Sequence, residues 1–407
     1  MATAPEPRPR ETAPGGAAPA RSEAAPGAGA AEMSEAAPAP FKVVIAGAGV
    51  AGMEAALALK DLAGQRVSIE MWAPDPEFVY RPLRVREPFA YGSAERYEVA
   101  KMAAKIGIEV REEAFSWVDA EAKVAHTDEG QEVSYDALIL ALGARIHSRF
   151  THAYTIDDRH LDDILNGLLQ DVEGGYVKRL AFVVPARMAW QLPVYELALM
   201  TARRASETDA SLAISIVTPE AAPLAIFGAN ASEAMSKLLA GAGIEVIGSA
   251  YAEVPSWDTV VVNPGDRRLR FDRVVALPEL YGPAVRGLPG GEHGFIPIDL
   301  HAKVRGVERV YAAGDATDFA IKHGGISAQQ ADAAAEEIAA LAGAPVQAKP
   351  FHPTVYGMVL TGGAPLYLRA QLTGGHGFSS EASDEPLWTP PRKIVAKYLG
   401  PFLEALA

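Results

Sequence analysis

The chain has 407 residues, 49% hydrophobic and 22% charged, enough for two or three domains with sizeable cores. Its 37 basic and 51 acidic residues leave a net charge of -14, which argues against nucleic-acid binding and against docking on anionic lipid by charge. There is no cysteine, so disulfides, thiolate metal sites, cysteine-bound iron–sulfur clusters and a catalytic thiol are excluded.

No apolar run approaches the roughly 20 residues of a membrane helix, and the N-terminus shows no basic segment followed by an apolar one. A cytoplasmic location is the default expectation. Ala, Pro and Gly fill 26 of the first 40 positions without apolar periodicity. Such a segment buries too little surface to offset its ordering entropy, so residues 1–40 are expected to be a disordered tail.

Order is expected from Phe41. The run Phe41-Lys42-Val43-Val44-Ile45-Ala46 predicts a strand, a Gly-rich turn follows, and Met53 to Leu62 predicts a helix. Val67 to Ala73 predicts a second strand, which completes one βαβ unit. Residues 94–106 read as helix, and Ile108 to Val110 and Ala114 to Val118 as short strands. The continuous apolar run Ala137 to Leu142 suits a strand covered on both faces.

A second α/β block is expected from Arg179: strand Leu180 to Val184, helix 191–205, strand Leu212 to Thr218, helix 231–241, then Ile244 to Ile247 and Val274 to Leu277. Arg309 to Asp315 returns to the first block, and Ser327 to Leu341 predicts a long Ala-rich helix. Residues 350–407 read as less regular. The fold class is therefore α/β, with two Rossmann-like dinucleotide-binding domains. A first domain over 41–150 and 285–345 encloses a second over 151–284, and 346–407 forms a capping or interface region.

Gly47-Ala48-Gly49-Val50-Ala51-Gly52 is a GxGxxG placed after a strand and at the start of a helix, the context the motif requires. Gly47 makes the tight turn, Gly49 admits a pyrophosphate to the backbone, and Gly52 lets helix and strand pack closely. The helix N-terminus, with Val50 and Ala51, offers free N–H groups and a positive dipole end. An acidic residue at the end of the second strand would hold the ribose hydroxyls. Glu70, 18 residues past Gly52, is one candidate. If the strand runs on to Ala73, Glu70 is a structural strand residue, and Trp72 and Ala73 lie near the adenosine instead. Both alignments stand.

Two further segments turn a dinucleotide into FAD. Tyr135-Asp136-Ala137-Leu138-Ile139-Leu140-Ala141-Leu142-Gly143-Ala144 resembles the YDxLxxATG segment of two-dinucleotide-domain flavoproteins, with Leu142 in place of Thr. Val310-Tyr311-Ala312-Ala313-Gly314-Asp315-Ala316 is similar to their second flavin motif, whose aspartate, here Asp315, accepts a hydrogen bond from the ribityl chain. The helix beyond Gly324-Gly325 would then aim its positive end at the flavin's pyrimidine carbonyl. Over about 41–345 the chain resembles the FAD-dependent pyridine nucleotide-disulfide oxidoreductase superfamily. Within it the chain looks most like the sulfide:quinone oxidoreductase branch, related to type II NADH dehydrogenases. Phe78-Val79-Tyr80-Arg81-Pro82, Pro193-Val194-Tyr195-Glu196 and Lys322 to Ala331 carry that likeness. The resemblance implies Arg81, Ala114 and Gln330 as further cofactor contacts. It places Lys322, Tyr195 and Glu196, with His323, as the polar candidates at the reaction site.

Two departures matter. Sulfide oxidation in that branch uses a cysteine pair, and Trp190 and Gln191 stand where one cysteine is expected. The second block also lacks its GxGxxG: Pro185-Ala186-Arg187-Met188-Ala189-Trp190-Gln191-Leu192-Pro193 has no glycine, and its prolines remove donors. NAD(P)H in the usual pose is not expected, though Arg187 offers a phosphate one cation. The resulting expectation is an FAD oxidoreductase passing electrons to a quinone or similar small carrier without cysteine chemistry. An NAD(P)H dehydrogenase of the type II kind and a non-catalytic or signalling flavoprotein are the alternatives. Near the C-terminus, Ile394, Val395, Tyr398, Leu399, Phe402 and Leu403 recur at helical spacing. Such a stripe is more often core than surface; packing on the chain itself or on a second copy, as in a homodimer, is favoured over peripheral membrane contact.

Overall fold

The structure is a computed structural model that describes residues 39–157, 161–188, 190–373, 376–377 and 379–406. The expected disordered tail, residues 1–40, lies outside the described residues except for its last two.

Strand β1 (Phe41–Ala46) feeds helix α1 (Val50–Ala63), which returns to strand β2 (Val67–Trp72). The helix begins three residues before the expected Met53, because Gly49 is extended and hands the chain directly into the first turn. β1 and β2 are central in a five-stranded parallel sheet ordered Val310–Ala312, Ala137–Leu140, β1, β2, Glu109–Arg111. Val43 to Ala46 and Ala137 to Leu140 are fully buried. This is why both read as unbroken apolar runs rather than alternating ones.

α1 packs against helix Gly324–Leu341. Their buried faces are mostly alanine, including Ala51, Ala55 and Ala58 on one and Ala331, Ala334 and Ala335 on the other. Small side chains let two helices approach at the short end of the usual 8–10 Å range. The expected helix over 94–106 is shorter, Val99–Ile106. Residues Arg96–Glu98 are drawn into an antiparallel pair with Glu77–Val79.

A second parallel sheet runs Tyr154–Thr155, Arg273–Ala276, Arg179–Val183, Ala213–Val217, Glu245–Ile247. Helices Leu161–Glu173, Leu192–Glu207 and Ala229–Gly241 pack with it. The region expected to be irregular, 350–407, contains an antiparallel sheet built on Thr354–Val359 and Leu366–Thr373, flanked by Glu381–Ser383. Its alternation was masked because Val355, Leu368 and Ala370 are buried against the second core while Tyr367 meets Trp388 on the other side.

The C-terminal apolar stripe is helical only over Leu399–Glu404, where Pro401 is tolerated in the first turn. Ile394, Leu399 and Leu403 belong to the first sheet's core, and Val395, Tyr398 and Phe402 are half-buried. No helix among the described residues is long and apolar enough to cross a membrane.

Candidate functional site

The turn after β1 is set by contacts that only glycine permits. Gly47 has φ +108°, and a Cβ there would lie 2.3 Å from the Ala141 carbonyl oxygen. A Cβ on Gly52 would lie 1.8 Å from the Gly47 oxygen. A Cβ on Gly49 would meet nothing within 4 Å, so the open space lies on that side of the turn. No side chain caps α1 and no acidic residue occupies its first turn. The N–H groups around Val50, Ala51 and Gly52 are thus left to an anion. Ala141, Leu142 and Gly143 leave the neighbouring strand beside this turn, with the Ala141 N–H bonded to the Ala46 carbonyl at 2.8 Å. An uncapped helix start, an open glycine and a close-packed cradle fit a dinucleotide pyrophosphate.

The two ribose alignments separate in space. β2 ends at Trp72, whose carbonyl accepts from the Gly47 N–H at 2.8 Å, and Ala73 donates to the Arg111 carbonyl at 2.9 Å. Glu70 pairs with Val44 two residues earlier. Its carboxylate accepts from Trp72 Nε1 and Arg111 Nε, each at 2.9 Å, and faces Lys42 at 3.5 Å. Burial pushes its pKa up, but those hydrogen bonds and cations outweigh it and hold it below the usual range. Glu70 is saturated by its own strand neighbours. Ala114 exchanges backbone bonds with Asp128, donating to its carboxylate at 3.0 Å and accepting from its N–H at 2.9 Å. Arg81 is exposed.

Gly314 and Asp315 form the tight turn after Val310–Ala312. Gln330, buried on the long helix, pins it by accepting from the Gly314 N–H at 2.7 Å. Lys322 is brought to the same place. Its ammonium donates to the Thr317 carbonyl and lies 3.9 Å from the Phe295 ring centroid. Burial pushes its pKa down to about 8 against the pull of Asp315 and Asp318. The charged form is thus disfavoured in the fold, a cost fully present below pH 8 and relieved as pH rises toward the unfolded value of 10.5. Wild type should gain up to about 3 kcal/mol over Lys322→Met between pH 8 and 10.5. Parallel urea titrations of the two proteins would measure this, and equal slopes against pH would refute it.

His323 begins the helix, its Nδ1 accepting from the Gly325 N–H at 3.2 Å, so the proton of the neutral ring sits on Nε2. Burial, with the nearby Lys393 charge, pushes its pKa down to about 3. Trp190 lies against its ring at 4.5 Å between centroids. Gln191 caps its own loop through the Met188 carbonyl.

The other two candidates face away from each other. Tyr195 OH donates to Glu220 at 2.6 Å. Glu196, fully buried, is held by Lys393, whose Nζ is 2.6 Å from both carboxylate oxygens, and by the Leu360 N–H at 2.8 Å. Burial pushes Glu196 up and Lys393 down, and each charge opposes the shift in the other. Lys393 also donates to the Pro82 carbonyl at 3.1 Å. Lys393 and Glu220 were not expected from the sequence. The partner of Lys393 is 197 positions away in the chain.

Beyond the ends of the second sheet's strands, the side chains contact one another. Arg187 contacts His293, lies 3.6 Å from the Glu279 carboxylate and sits 5.0 Å from the Tyr281 ring centroid. Glu220, beyond strand Ala213–Val217, turns inward to Tyr195 and the Ala225 N–H. Burial raises its pKa.

Residues 41–169 match the family described as pyridine nucleotide-disulphide oxidoreductase. Among curated proteins none matches the chain in sequence. Among solved structures, the sulfide:quinone oxidoreductase of Aquifex aeolicus is similar with a TM-score of 0.75 at 17% identity, over 84% of this chain and 87% of that one. A ferredoxin reductase from Rhodopseudomonas palustris gives 0.61 at 20% identity, over 82% and 83%. NDH2 from Plasmodium falciparum gives 0.55 at 16%, over 68% and 64%. At these identities the likeness is one of fold. Taken with the family match over residues 41–169 and the cradle after β1, it gives the chain the fold of the pyridine nucleotide-disulphide oxidoreductases, shared with a sulfide:quinone oxidoreductase.

Proposed function

We propose that this enzyme passes electrons through FAD to a quinone or similar small carrier, using neither a thiol nor NAD(P)H. The observation that carries the reading is the set of contacts the chain makes with itself beyond the strand ends of the second sheet. There Arg187 is engaged with Glu279, Tyr281 and His293, and Glu220 with Tyr195. A nicotinamide dinucleotide would have to break both sets of contacts and dock on a loop carrying Pro185 and Pro193 in place of glycines. The quinone is suggested by the names of similar folds, sulfide:quinone oxidoreductase above all.

In this reading residues 41–150 and 285–345 form the FAD domain, 151–284 the nested domain and 346–407 the cap. FAD supplies the two-electron chemistry. Gly47, Gly49, Val50, Ala51 and Gly52 hold its pyrophosphate, and Ala141, Leu142 and Gly143 line its path. Gly314 and Asp315, pinned by Gln330, orient the ribityl chain. Trp72 and Ala73 lie toward the adenosine, with Glu70 bracing them through the indole N–H. Lys322, with its lowered pKa, gives up or takes a proton near neutral pH beside the flavin. His323 presents a neutral N–H donor. Tyr195 and Glu196 are positioning residues, since their polar atoms are spent on Glu220 and Lys393.

The test is anaerobic stopped-flow reduction of the yellow protein with NADH, NADPH, sulfide and a quinol in parallel. We expect the quinol to exchange electrons with the flavin, and the other three to leave it oxidised over seconds. Fast, saturable bleaching by NADH would make the chain a type II NADH dehydrogenase. Inertness to all four would favour a non-catalytic flavoprotein.

A further inference from the structure

We propose that Glu54 and Asp332 form a proton-sharing latch that docks the C-terminal helix Leu399–Glu404 on the first domain's helices, and that ionisation of both carboxyls releases it. The proposal does not rest on the identity of the electron donor or acceptor.

The latch is built from three elements. Glu54 lies on α1 and is fully buried. Its two oxygens accept from consecutive backbone N–H groups at the start of the C-terminal helix, Tyr398 at 2.9 Å and Leu399 at 2.6 Å. These are two of the four donors that a helix start leaves unsatisfied, and no side chain of the C-terminal segment caps them. Asp332, on helix Gly324–Leu341, which packs against α1, shares a hydrogen bond with Glu54. Its Oδ1 is buried without a hydrogen-bond partner among the described residues.

The N–H groups favour a charged Glu54, so the proton of the pair belongs on Asp332, which then donates to Glu54 rather than repelling it. Burial, with the Glu54 charge, pushes Asp332 up to about 8, while Lys397 opposes it. Glu336, Lys397 and Tyr398 bear on Asp332, and Asp61 acts on Tyr398. Asp61 is on α1 with Glu54, and Glu336 on the long helix adds to the negative charge. Lys397 and Tyr398 come from the C-terminal segment, with Lys397 4.6 Å from the Tyr398 ring centroid. Lys393 is anchored separately on Glu196, so the segment pivots there rather than leaving entirely. Once Asp332 ionises, two carboxylates confront each other in a buried site. The C-terminal helix, held by the Glu54 oxygens and by Leu399 and Leu403 in the core, is the element able to move away.

Hydrogen exchange on the full FAD-loaded protein tests this, followed by mass spectrometry of peptides over 397–406 from pH 6.5 to 9.5 and corrected for intrinsic exchange. Protection in wild type should hold below pH 8 and then fall by about tenfold per pH unit. Asp332→Asn keeps a donor toward Glu54 and cannot ionise, so its protection should be flat over the same range. Glu54→Gln loses the charge that holds the two N–H groups, so its protection should be low at every pH. A flat wild-type profile, or an Asp332→Asn profile that falls as wild type does, would overturn the latch.

Discussion

Replacing Lys393 with Met should cost this protein about 3–5 kcal/mol of stability, the usual price of removing one partner from a buried ion pair. Glu196 would then keep the Leu360 N–H but lose two contacts of 2.6 Å, while its own side chain is fully buried. Glu196→Leu should be similarly damaging, because it leaves an ammonium with only the Pro82 carbonyl. The double variant Lys393→Met with Glu196→Leu removes both charges and should be more stable than either single variant, since a well-packed apolar pair can match a buried ion pair. Urea unfolding of the four proteins forms a complete double-mutant cycle. Additive losses would show that the pair does not act as a unit.

That pair also shows where sequence reading stops. The first βαβ unit is legible because each of its signals is local: an apolar run, a spaced set of glycines, then a second apolar run, all within 41–73. The returning strand Val310–Ala312 and the turn at Gly314 are legible for the same reason. Lys393 and Glu196 are far apart in the chain, and neither residue carries a pattern that names the other. Glu70 shows a different limit. Its type and spacing suit a ribose ligand, and only the register, which pairs it with Val44 and puts Trp72 and Arg111 beside it, places it within the strand. The C-terminal stripe has the period of a helix, yet Ile394, Val395 and Tyr398 lie on the segment before the short helix. In that segment Ile394 donates its N–H to the Tyr80 hydroxyl at 2.6 Å, and Arg392 pairs with Glu95 at 2.7 Å. These long-range ties outweigh helix propensity there.

The glycine turn gives the second large effect, and one of its three positions separates binding from folding. Gly47→Ala and Gly52→Ala each drive a methyl into backbone oxygen, at 2.3 Å and 1.8 Å respectively, so both should disrupt the turn and the protein's stability together. Gly49→Ala is different. Its backbone is extended with φ -74°, a conformation alanine adopts freely, and a Cβ there meets no protein atom within 4 Å. The apoprotein should therefore fold as well as wild type or gain about 0.4–1 kcal/mol from the restricted unfolded chain. The new methyl nonetheless projects into the space through which a pyrophosphate reaches the helix N–H groups. FAD affinity should fall by at least about tenfold, a loss of about 1.4 kcal/mol. Titrating apoprotein with FAD by fluorescence quenching, beside urea unfolding of the same samples, reads the two quantities separately. A Gly49→Ala protein that binds FAD as wild type does would mean that the pyrophosphate does not lie on this turn. One that loses stability without FAD would mean that Gly49 serves the fold rather than the cofactor.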